Sequence, residues 1–180
     1  MTIKIDFVGF ADDCRVEGTV DLDEDARLAD MLNRRPTIVV HGVTVVSTLD
    51  GHTQQLDELE IGRDELDLVV ANGPRGDPKR RLATKPSGVN MKLGPYSAVG
   101  FMHGPPTSNP LSDIGRRQPM VAMTDVVLEY QFCEQAISEW HRTLLVNRQL
   151  AMSLRAVANP VSFQPDVASG PPLAGSHPPA

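Results

Sequence analysis

Aromatic residues are scarce in this chain. They make up 4% of its 180 residues, with a single tryptophan, so any core has to be assembled from Val, Leu, Ile and Met. That scarcity argues against a large substrate pocket walled by rings. Cysteine is scarcer still. Cys14 and Cys133, widely separated, provide neither a disulfide framework nor a Cys-x-x-Cys ligand pair. Basic residues are also in deficit: the formal net charge of -6 excludes a phosphate-neutralising surface over the chain as a whole, and no nucleic-acid partner is expected. No stretch approaches the roughly 18 apolar residues of a membrane span. The opening Met1–Asp6 places charges where a secretion signal needs an apolar run. These absences lead to the expectation of a soluble, cytoplasmic chain with reduced thiols and no membrane contact.

What is present is unevenly distributed. Residues 1 to 73 hold sixteen acids against six bases, whereas residues 74 to 110 hold one acid against six bases. The acidic stretch reads as a β-rich unit over 1–73. Ile3–Phe10 and Cys14–Leu22 alternate apolar and polar residues, predicting a hairpin. Asp23 to Asp25 supply capping side chains for a short helix over Ala26–Asn33, which Pro36 ends. A β-branched strand follows over Thr37–Val46, with Gly42 marking a bulge or bend. Asp50-Gly51 forms a turn, and Glu65–Val70 a closing strand. Residues 74–88, rich in Pro, Gly and bases, read as an exposed linker.

Part of this unit recurs. An offset of 83 pairs Leu28 with Leu111, Asp30 with Asp113, Arg34 with Arg117, Pro36 with Pro119 and Val43 with Val126. It also sets Met31 against Ile114 and Ile38 against Val121, and with a one-residue gap Gly18 meets Gly100. Five identities between residues 28 and 45 exceed the roughly one expected by chance, and predict a second, diverged β-rich unit over 89–130. The pattern Gly18-x-Val20, then Arg27-Leu28-x-Asp30-x-Leu32-Asn33, then a β-branched strand resembles small uncharacterised bacterial β domains of unknown function. The resemblance covers about thirty residues and implies no activity.

Residues 131–158 contain neither Gly nor Pro from Gln131 to Val157. Cys133, Ile137, Trp140, Leu144, Asn147, Ala151 and Leu154 follow one another at spacings of four and three. This predicts an amphipathic helix that gathers copies of the chain along a coiled-coil seam, with Asn147 fixing the register. Six prolines among residues 159–180 predict a disordered tail, in which Phe163 is a candidate anchor for a partner. The fold class expected is therefore α+β: two small barrel- or roll-like units with short helices, then the oligomerising helix and the tail.

No constellation compels a chemistry. The histidines 41, 52, 103, 141 and 177 show no ligand spacing on one element, so neither metal nor cofactor is expected. His103, Ser108 and Asp113 would be the first candidates for a catalytic group, but they form no recognisable motif. Arg75, Lys79, Arg80 and Arg81 are candidate contacts to an acidic partner surface. The reading is a non-enzymatic scaffold that forms homo-oligomers and organises a larger protein complex, such as a multi-subunit oxidoreductase. The alternative is a small-ligand or regulatory module using the cleft between the two units.

Overall fold

The computed structural model describes residues 1–74, 83–109, 111–158 and 160. Its first half contains β1 (Thr2–Phe10), β2 (Cys14–Asp23), a helix α1 (Leu28–Arg34), β3 (Thr37–Ser47), β4 (Thr53–Gly62) and β5 (Leu68–Val70). Its second half contains β6 (Lys85–Leu93), β7 (Tyr96–Gly104), β8 (Met120–Phe132), β9 (Gln135–Asn147) and β10 (Ala151–Ala156). All ten strands form one antiparallel sheet in the order β10-β6-β7-β8-β9-β5-β1-β2-β3-β4.

This corrects the α+β expectation. Among the described residues α1 is the one α-helix, accompanied by short 3-10 turns at Arg63–Glu65 and Ile114–Arg116. The halves are parts of one continuous sheet instead of separate barrels. The helix expected over 131–158 is the strand pair β9 and β10. Two physical facts produce the misreading. The β8–β9 hairpin turns on Cys133 and Glu134, both at positive φ (47° and 66°), so a tight turn forms without the Gly or Asn that ordinarily marks one. And Leu144, Leu145 and Val146 are apolar in succession because β9 is covered on both faces there, which breaks the period of two a strand otherwise shows. Ile137 and Trp140, neighbours on a helical seam, instead occupy opposite faces of β9.

The pairing registers of the halves coincide. Offsets of 82 for β1 and β2, 83 for β3, and 85 for β4 and β5 carry the first ladder onto the second. Phe7↔Gly18 becomes Val89↔Gly100. Thr19↔His41 becomes Phe101↔Thr124. Ile38↔Ile61 becomes Val121↔Val146, and Gly9↔Val69 becomes Met91↔Leu154. Each half also slips register at a matching bulge, on β3 and on its counterpart β8. Its extra residue has positive φ, 58° at Gly42 and 49° at Asp125. Across from the bulges, a methyl group at Gly18 would lie 2.7 Å from the His41 carbonyl oxygen, and one at Gly100 would lie 2.9 Å from that of Thr124. Glycine at both sites is what lets the bulged strand approach so closely.

Two cores result. Phe7, Val16, Val20 and Leu22 pack with Leu28, Met31 and Leu32 of α1 in the first. Val89, Met91, Tyr96 and Met102 pack with Met123 and Leu128 in the second, flanked by Leu111 and Ile114. Five strands per half is an odd number. Strand direction therefore reverses from one half to the next, and equivalent side chains face opposite sides of the sheet.

Candidate interaction edges

Sheet edges are the chemically distinctive places in this molecule, and the internal joint between the halves shows how its edges bond. At that joint Leu68 lies opposite Val146, Val69 opposite Leu145 and Val70 opposite Leu144. Leu68, Leu144 and Val146 enter the second core, while Val69 and Leu145 enter the first, so the joint is packed on both faces. Polar groups fix its ends. The backbone N–H of Asn147 donates to Asp67 O at 2.8 Å, and the Asn147 amide donates to the carbonyls of Arg63 and Leu66 at 3.3 and 3.2 Å. Asn33 of α1 brackets Met120 of β8, donating to its carbonyl and accepting from its N–H, both at 2.9 Å. Glu139 on β9 accepts from Tyr130 at 3.0 Å and approaches Arg15 of the first half at 3.5 Å. Hydrogen bonding from His141, 3.2 Å away, is the main reason its carboxyl is held below the usual range.

The outer sides of β4 and β10 have no strand partner among the described residues. β4 presents the exposed acids Asp57, Glu58 and Glu60, whereas β10 presents the exposed Arg155 and no acid. Both rows of backbone N–H and C=O groups are thus open templates for pairing, distinguished by charge.

No family model, no curated protein and no solved structure matches this chain.

The residues singled out from the sequence fall in different places. Ile137, Trp140, Leu144 and Asn147 lie on β9, Ala151 and Leu154 on β10, and Cys133 in the turn before β9. They share no helical seam. Leu144 and Asn147 are fully buried at the joint, and Cys133 donates its N–H to Thr48 O at 2.8 Å, tying the β8–β9 turn to the β3–β4 turn. Arg75, Lys79, Arg80, Arg81 and Phe163 lie outside the described residues. His103 places Nε2 2.7 Å from Thr124 Oγ1, whereas the Ser108 hydroxyl donates to Pro105 O at 3.0 Å and Asp113 leads into a 3-10 turn. No hydrogen bond joins these three among the described residues. Among those residues, too, no cluster of three or more His, Cys, Asp or Glu side chains is arranged to hold a metal, and no helix is long and apolar enough to cross a membrane. A hollow of about 170 Å³ lies within the first half beside Asp21, Asp30 and Met31, below the roughly 300 Å³ of a small-molecule site. Sequence reasoning missed β4, the free acidic edge. Its run of Gln, Asp and Glu has low β propensity, and only the pair Leu59 and Ile61, two residues apart, hints at a strand.

One acid at the joint is unusual. Asp67 is 5% exposed, and its carboxylate and that of Asp12 both approach Gly94 of the β6–β7 turn. Burial, then repulsion from Asp12, pushes the Asp67 carboxyl up to about 6. Because its folded-state value exceeds the ordinary carboxylate value of 3.8, the folded protein retains this proton over a window where the unfolded chain has lost it. The stability cost therefore develops as pH rises through about 4 to 6 and persists above. Asp67→Asn is expected to stabilise the protein by about 1–2 kcal/mol at pH 7.5, with the gain gone at pH 4. Urea midpoints of parent and variant at the two pH values check this. A gain that does not change with pH would remove ionisation as its cause.

Proposed function

We propose that this chain is a non-enzymatic assembly subunit that joins protein chains through the edges of its sheet. The observation that carries the reading is the pair of edge strands without a strand partner among the described residues, β4 acidic and β10 with its lone arginine, on a sheet whose halves already bond edge to edge. Strand addition uses main-chain hydrogen bonds for affinity and flanking side chains for specificity, and both are available along β4. A cytoplasmic location and a role in organising a larger complex belong to this reading. The two cysteines, both free and half-buried, are compatible with it.

Native isolation of the tagged full chain from its own cells tests the proposal. Associated chains at fixed stoichiometry are expected, and Glu58→Lys with Glu60→Lys should release them while Asp25→Lys, away from both edges, should not. Recovery of the chain alone, or no release by the β4 double variant, would overturn the reading.

A further inference from the structure

The offset of 85 that carries β4 onto β9 and β5 onto β10 makes the free edges counterparts of the internal joint. Residues 59–61 of β4 stand where 144–146 stand on β9, and residues 153–155 of β10 stand where 68–70 stand on β5. The geometry points to a second copy of this chain as the occupant. Its β10 would pair antiparallel with β4 of the first copy, Ser153 opposite Ile61, Leu154 opposite Glu60 and Arg155 opposite Leu59.

This inference rests on the assembly reading and names the partner. Three observations support it. The internal joint demonstrates that an edge of the β5 kind fits one of the β4 kind. The edges differ in charge in the complementary sense. In the inferred register Arg155 shares a face with Leu59 and, diagonally, with exposed Asp57, within reach of a long side chain. And the sheet simply continues: the contact is head-to-tail, using a different edge on each copy, and such contacts propagate unless the rotation closes them.

The inter-copy contact has a polar or charged residue at three positions where the internal one is apolar. Glu60 replaces Leu145, Ser153 replaces Leu68 and Arg155 replaces Val70. Charges on edge strands oppose uncontrolled pairing. The association is accordingly reversible and sensitive to salt, not a permanent dimer.

Light scattering on the purified full chain is the first measurement. The weight-average mass should rise between about 1 and 100 µM at low salt, and the rise should be lost in about 0.5 M salt, where screening is strong. Cysteine pairing then reads the register, in a background of Cys14→Ser and Cys133→Ser. Residues directly opposite across an antiparallel pair have Cα atoms about 4.5–5.5 Å apart, within disulfide range. Glu60→Cys mixed with Leu154→Cys should yield a covalent heterodimer on oxidation, at least tenfold faster than Glu60→Cys mixed with Ala156→Cys. Equal rates would overturn the register, and a mass that stays at one chain through 100 µM would overturn self-pairing. If that happens while native isolation still recovers other proteins released by the β4 variants, self-pairing alone has failed. If native isolation also yields nothing, the assembly reading fails with it.

Discussion

Phe10→Ala is expected to cost about 3–5 kcal/mol, the range for deleting a large aromatic side chain from a packed interior. Phe10 belongs to β1 of the first half, yet its fully buried ring lies in the core of the second. It meets Tyr96 and Tyr130 at centroid separations of 5.6 and 5.7 Å, both edge-on, and Arg15 caps it from 5.5 Å. Each edge-to-face pair adds about 0.5–1.5 kcal/mol beyond burial, so truncation removes more than area. Against a typical total of about 5–15 kcal/mol, a loss of this size leaves the chain near its unfolding threshold. Denaturant titration followed by circular dichroism checks it. A loss below about 1 kcal/mol would mean that the halves do not depend on this ring.

Asn147→Leu should rank next, at about 2–4 kcal/mol, although it replaces a polar side chain with an apolar one of similar volume in a buried site. The amide of Asn147 satisfies the carbonyls of Arg63 and Leu66, and its Oδ1 accepts from Gln149 N–H at 3.2 Å. Leucine would take this partner from the buried Leu66 carbonyl and from the Gln149 N–H, and leave the Arg63 carbonyl with the Leu66 N–H alone. The same titration measures this loss, and the variant's hydrogen exchange should rise most at residues 63–70, the segment that the amide holds. A stability equal to the parent's would show that water takes over these bonds.

Strands whose two faces meet different environments were legible before any coordinates. Ile3, Ile5 and Phe7 alternate with polar residues, and β1 spans Thr2–Phe10. The β-branched run from Thr37 is β3, with its register slip beside Gly42. The offset of 83 that aligns Leu28 with Leu111 is also the one that lays β3 on β8. What stayed hidden was each strand that breaks the alternation for a tertiary reason. β9 is apolar on consecutive residues because the other half covers it, and that run, together with residues from both faces, mimics the spacing of a helix. β4 is polar at most positions because its outer side is open. A single chain's pattern contains no term for what lies beyond its own strand. The candidate edges were invisible for the same reason, since an edge is defined by the neighbour it does not have.

The placement of β5 also governs the order in which the molecule can be completed on the ribosome. β1 to β4 pair with near neighbours in sequence and can form as soon as they emerge, but Leu68–Val70 find their second partner only after Leu144–Val146 have been synthesised. For that interval a nascent first half exposes three consecutive apolar residues on an unfinished strand. A neighbouring nascent chain on the same messenger could supply the missing β9, exchanging halves between two molecules.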